Sequence, residues 1–271
     1  MSQKPNTLFL SHGAPDLGLH ESPARAFLQT LGKTLGRPPL IVVASAHFEA
    51  PDIAVVADPA PRTLYDFGGF DRRLHEMTYP APGAPEAAEA VAVALQEEGL
   101  TARGLARRGY DHGVWVPLQL IYPEADIPVL MVSVDPRRGA AHHIAAGRAI
   151  RKAVGPEALV IGSGSMTHDL ASVFTREGLA PRLKPAPAWV TDFSDWVTQH
   201  VEAGDVATLS RWEEAPHARD NHPTPEHFLP FFTALGAAGE RAGTRIHTSP
   251  QYGALMMDVV AWEQDTEALA A

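Results

Sequence analysis

Short apolar runs rich in branched residues recur at positions 7–10, 40–44, 53–57, 127–134, 158–161 and 254–260. Each has strand length, and several are continuously apolar rather than alternating, as central strands covered on both faces are. Between them, residues 84–98, 140–154, 188–201 and 225–238 carry the Ala-rich or amphipathic spacing of helices. The alternation predicts an α/β layered domain with a central mixed, mostly parallel sheet flanked by helices. Ala/Pro-rich patches at 79–85 and 180–187 are too short for domain linkers, so a single domain over residues 1–271 is expected. Residues 267–271 read as a frayed tail.

Composition narrows the chemistry. Acidic residues outnumber Lys plus Arg by 32 to 22, which disfavours nucleic acid or an anionic membrane as the main partner. No run approaches membrane-span length, and the stretch from Met1 to Thr7 lacks the basic-then-apolar order of a secretory signal, so a cytoplasmic address is expected. A homo-oligomer is compatible with all of this. Cysteine is absent while histidine occurs 13 times, so any metal must be held by His, Asp or Glu.

The histidines fall at repeated positions. Leu8-Phe9-Leu10 runs into Ser11-His12-Gly13, and Val42-Val43-Ala44 into Ser45-Ala46-His47-Phe48, each read as a small residue, a histidine and a turn after a strand. A third run, Leu159-Val160-Ile161, ends in Gly162-Ser163-Gly164-Ser165-Met166-Thr167-His168. Ligands of open α/β sheets bind beyond the carboxyl ends of the strands, so these histidines are expected to converge on one edge. Imidazole is the commonest protein ligand of zinc, iron and copper, and such a cluster suggests a catalytic metal site. His112, in Tyr110-Asp111-His112-Gly113, is a ligand or an acid/base. Thr224 and Pro225 read as N-cap and first position of a helix, with Glu226 and His227 in its first turn; with His222 just ahead, spacing alone does not choose among three ligands. His142 and His143 are assigned to a surface helix, and His20, His75, His200, His217 and His247 have no repeated context. The Gly162–Ser165 stretch lacks the lysine of a phosphate loop, the spacing of a dinucleotide fold and the flanking glycines of a nucleophile elbow.

Taken with Tyr65-Asp66-Phe67-Gly68-Gly69-Phe70 and Asp111-His112-Gly113-Val114-Trp115-Val116-Pro117-Leu118, these segments resemble the class III extradiol ring-cleaving dioxygenases of the DOPA-dioxygenase type over nearly the whole chain. The resemblance implies a mononuclear metal held by His12 and His47, with His227 as third ligand and Glu226 as its alternative. It implies His168 as a further ligand or a base. The activity implied is extradiol cleavage of a catechol by O2 at Fe(II), with His112 and His168 as the acid/base candidates and Tyr65, Phe67, Phe70 and Trp115 lining an aromatic pocket. Asp111 is either a support for the neighbouring imidazole or structural. Three imidazoles also suit Zn(II), which leaves a zinc hydrolase or a non-catalytic metal-binding protein as the other readings.

Overall fold

The structure, a computed structural model, describes residues 4–176 and 178–263. The expected frayed tail lies outside the described residues. The strands are β1 (Pro5–Ser11), β2 (Ile41–Glu49), β3 (Ile53–Val56), β4 (Ala102–Leu105), β5 (Val129–Val134), β6 (Leu159–Gly164), β7 (Phe174–Thr175), β8 (Gly178–Leu179), β9 (Thr244–His247), β10 (Pro250–Gln251), β11 (Leu255–Met256) and β12 (Val259–Glu263). The helices are α1 (Pro23–Leu35), α2 (Pro85–Glu97), α3 (His112–Ile121), α4 (Ala140–Val154), α5 (Leu170–Val173), α6 (Ala188–Glu202), α7 (Val206–Leu209), α8 (Ala218–Asn221) and α9 (Leu229–Ala237).

Eight strands form one mixed sheet in the order β4-β3-β5-β2-β6-β1-β12-β9. Its centre, β5-β2-β6-β1, is parallel; β12 and β9 add antiparallel pairs on one side, and β3 meets β5 antiparallel on the other. The continuous apolar runs are explained by burial on both faces. Leu8, Leu10, Ile41 and Val43 pack with α1 and α3, while Val42, Leu130 and Val160 pack with α2 and α4. Phe9 points away from Leu8 and Leu10, into the cluster built on α6 and α9.

Register brings three strand ends together. Ser11 pairs with Gly164, and Ser45 pairs with Ser163, so β2, β6 and β1 finish side by side at one edge. Opposite that edge, α9 presses its backbone directly onto its neighbours. A Cβ on Gly162 would stand 2.1 Å from the Pro230 carbonyl oxygen, and one on Gly164 2.1 Å from that of His227. Gly147 of α4 and Gly236 of α9 interlock in the same way, each within 2.1 Å of an opposing carbonyl once given a Cβ.

Several boundaries differ from the sequence expectation. The strand expected at 40–44 continues to Glu49, so His47 lies on the strand rather than in a turn, beside a register shift against β5. The helix expected from Pro225 begins at Leu229. Pro230 explains the delay: in a helix already running it would clash with the carbonyl four residues back, whereas in the first turn it costs nothing. The His227 carbonyl, left out of the helix, accepts the Ser165 N–H at 2.8 Å. The run at 254–260 divides into β11 and β12, because buried Asp258 turns between them to bind Ser194 and Thr248. Helix α1 was outside the predicted set, although Ser22 caps it by accepting from Arg25 N and Pro23 opens it. His143 is not on a surface: it is 2% exposed, and its Nε2 accepts the Asp135 N–H while Nδ1 faces the Gly139 carbonyl.

Gly147→Ala and Gly236→Ala should each lower stability by about 1–3 kcal/mol through backbone collision, measured by thermal unfolding. Burial holds the His143 imidazole down at about 4. The unfolded chain protonates this residue below about pH 6.5 while the folded one does not, so its contribution is full above that pH and is lost as pH falls towards 4. The melting temperature should therefore fall less steeply between pH 6.5 and 4 in His143→Gln than in the parent. Equal slopes would remove His143 from the acid response.

Candidate metal centre

His12 leaves the end of β1, His47 the end of β2, and His227 the turn that α9 holds against Gly164. Their imidazoles meet nitrogen to nitrogen. His12 Nε2 and His47 Nε2 are 3.0 Å apart, and His47 Nε2 and His227 Nε2 are 3.3 Å apart.

The surroundings fix which nitrogen carries each proton. Ser163 Oγ donates its one proton to the Gly113 carbonyl, so towards His12 Nδ1, at 3.1 Å, it accepts. That places the His12 proton on Nδ1 and leaves Nε2 bare. The Glu226 carboxylate, which only accepts when ionised, lies 2.9 Å from His227 Nδ1 and leaves that Nε2 bare as well. Asp66 Oδ2 stands 3.8 Å from His47 Nδ1, too far for a hydrogen bond, and its charge faces that side of the ring. Burial first, then the neighbouring imidazoles, pushes His12 and His227 well below the usual histidine range, and burial with the adjacent His112 lowers His47 to about 3. All three are neutral donors.

Three converging nitrogens of this kind could hold a metal ion. Nitrogens about 2.1 Å from a common ion would lie about 3.0–3.4 Å from one another, and the observed separations match. The donor chemistry fits a borderline cation such as iron or zinc. His12 and His227 also have the outer partner, a hydroxyl and a carboxylate, that metal-bound histidines usually carry.

Two more histidines border the centre. His112 opens α3, and Asp66 grips it twice, accepting from its backbone N at 2.9 Å and from Nδ1 at 3.0 Å. Burial acts to raise the Asp66 carboxyl, but the hydrogen bonds from His112 outweigh it and hold Asp66 below the usual carboxylate range. The His112 ring centre is 3.9 Å from that of His47. His168 stacks on His227 with ring centres 3.4 Å apart, and burial lowers it to about 4. Its nitrogen groups with Glu226 and His227 rather than with His12 and His47.

Other expected residues stand elsewhere. His222 is buried among Phe193, Trp212 and Phe228, with Nε2 on the Met166 carbonyl. Glu226 is engaged with His227 Nδ1 and Thr224. Asp111 faces away from its neighbour His112: its carboxylate accepts from Ser45 Oγ at 2.7 Å and Arg108 Nη2 at 3.0 Å. Arg108, half-buried, also donates to the His47 carbonyl, so with buried Ser45 and Asp111 it braces the end of β2. Phe67 and Phe70 line a cavity of about 190 Å3 that opens from the histidines. Tyr65 and Trp115 lie outside that lining, with their polar atoms on the Met77 and Leu64 carbonyls. Asp66, Ser163 and Arg108 were not singled out from sequence, Asp66 being 46 residues from the imidazole it holds.

A mixed α/β sheet whose parallel central strands deliver imidazoles to the buried end of a cavity defines a site that could hold a metal ion. The profile of the catalytic LigB subunit of aromatic ring-opening dioxygenase matches residues 8–261. The chain belongs to this family of class III extradiol dioxygenases. It is 37% identical to the 4,5-DOPA dioxygenase extradiol of Beta vulgaris, covering 90% of this chain and 91% of that one. It is 35% identical to the protein of the same name in Escherichia coli K12, covering 85% and 84%. A crystal structure of an uncharacterized Escherichia coli K12 protein superimposes with a TM-score of 0.75 at 30% identity, over 94% of this chain and 98% of that one. Among the described residues, no helix is long and apolar enough to cross a membrane.

His12→Ala, His47→Ala and His227→Ala should each lose bound metal, measured as metal per folded protein. Ser163→Ala, which frees the His12 ring, should weaken metal affinity about 10–100-fold. Wild-type metal content in His227→Ala would overturn its place as a ligand.

Proposed function

We propose that the protein opens the ring of a catechol, DOPA-like or a related diol, with O2 at a single non-haem Fe(II) held by His12, His47 and His227. The observation that carries this reading is the meeting of three Nε2 atoms, with the other nitrogen of His12 and of His227 held by a hydrogen bond. Family membership supplies the reaction class. Fe(II) held by His12, His47 and His227 would supply a redox-active Lewis acid.

The chain's own residues handle protons, orientation and water. His112 keeps its proton on Nδ1, facing Asp66, so its Nε2 is free to accept a catechol hydroxyl proton and return it as the ring opens. Asp66 stabilises the imidazolium formed in between, as a carboxylate partner of a catalytic histidine does. The same carboxylate faces His47 at 3.8 Å, so its charge acts on both rings. His168, stacked on His227, is the second acid/base group. Phe67 meets His112 edge-on, and with Phe70 it gives the aromatic ring of a substrate an apolar flank.

Protein reconstituted anaerobically with Fe(II) should consume O2 when given catechol and form a yellow ring-opened product, and the Zn(II) form should consume none. Absence of uptake with iron would overturn the proposal, and hydrolysis by the zinc form would favour the hydrolase reading. His112→Ala should keep its metal and lose about 10²–10⁴-fold in kcat.

A further inference from the structure

The cavity is buried at one end and open at the other. His12, His112 and His227 are each at most 7% exposed, whereas Leu170, Phe174 and Leu179, on α5 and the β7–β8 hairpin, line it while 43–53% exposed. Val173, buried beside them, completes an apolar wall. A catechol whose two oxygens face the imidazoles carries the far side of its ring, and any substituent there, along this wall towards water. The carbon atoms next to the ring then cover Leu170, Phe174 and Leu179, which is favourable in proportion to the apolar area taken out of water. The far end of the substituent stays hydrated, so a charge on it costs little to bring in.

Nothing fixed in the wall answers such a charge. Among the described residues the cavity lining contains no Lys, Arg, Asp or Glu. Arg182 packs on the Tyr252 ring, 5.1 Å from its centre, but Asp16 neutralises it, with Oδ2 accepting from Arg182 Nη2 at 2.6 Å. Tyr252 Oη has no partner, yet it is closed off from solvent and so from the open cavity. The Ser165 hydroxyl donates to the Thr167 carbonyl at 2.7 Å. The imidazoles lie at the buried end, where the diol sits, and a group that projects to the mouth is out of their reach.

We infer that Leu170, Val173, Phe174 and Leu179 read the carbon chain of the catechol's ring substituent and not its charge. The protein thus selects by the number of methylenes next to the ring and accepts alkyl, amine, acid and amino-acid ends alike. The inference rests on the ring-opening reading above for where the diol sits, while the chemistry of the wall is independent of it.

The test measures kcat/KM with the iron-loaded enzyme, and Kd with metal-free protein by calorimetry, for two sets of compounds. Catechol and its 4-methyl, 4-ethyl and 4-propyl derivatives vary length alone; dopamine, 3,4-dihydroxyphenylpropionate and DOPA vary the charge at the end of a short chain. A methylene moved wholly out of water gains about fourfold in binding, and one on a half-exposed wall about twofold. From catechol to 4-propylcatechol kcat/KM should therefore rise about 10–60-fold, and the three charged compounds should agree within about 10-fold. A flat alkyl series, or a wider spread among the charged three, overturns the inference. If no catechol is opened, the ring-opening reading fails and the metal-free protein still decides this one: Kd should fall about twofold or more per methylene, and a flat series or no binding overturns it. Phe174→Ser with Leu179→Ser should flatten the alkyl series, and an unchanged slope in the folded double variant overturns the assignment to this wall. Tyr252→Phe should leave the ratio of DOPA to 4-propylcatechol as it is; loss of DOPA turnover alone in that variant would show that the phenol reads the polar end, and overturn the inference.

Discussion

Three imidazole lone pairs cannot share a point in space unless the surroundings forbid the rings to turn away. A free histidine would rotate, take a proton or hydrogen-bond to water, and each escape is closed here by a particular neighbour. Ser163 spends its proton on Gly113 and so compels His12 to present Nε2. Glu226 does the same for His227, and burial removes the option of protonation. The folded state thus stores an unfavourable meeting of donors that a cation turns into a favourable one, a cost that functional sites commonly carry.

The sheet is arranged to keep that meeting in place. His12 and Ser163 come from neighbouring strands whose register is fixed by Leu10 opposite Ser163 and Ser11 opposite Gly164. His227 reaches the other two imidazoles from the other side because Gly164 at the end of β6 has no side chain. Any side chain at Gly164 would collide with the His227 backbone, so the backbone bond from Ser165 N to the His227 carbonyl and the metal site depend on the same missing atom. On the far side, Asp111, Ser45 and Arg108 extend β2 past its apolar run and deliver His47 at the height of the other two.

What was legible in the sequence follows from how local each cause is. The end of β1 shows itself because Gly13 and Pro15 stop it, and the central strands because both of their faces are apolar. His47 was visible as a candidate, but its seat on a strand was not, since the brace that prolongs β2 comes from residues some 60 positions away. Pro225 sent a valid local signal for a helix start that lost to Pro230 and to the contact at Gly164. His143 looked like a surface residue because helical spacing does not tell which polar side chain finds a buried backbone partner. Asp66 had no local mark as the partner of His112, because that pairing exists only once the 65–70 loop folds over α3.

The pairing of β1 with β12 bears on how the molecule comes into being. During synthesis β1 emerges first, yet one of its two flanking strands is made only after residue 258, and the turn bearing the third ligand only after residue 222. A nascent chain that has delivered β1, β2 and β6 holds two ligands on an open sheet edge, a poor trap for a cation and a surface prone to wrong pairing. An ion held by His12, His47 and His227 would therefore find its full donor set only after segments far apart in the chain have docked, and would tie those segments together.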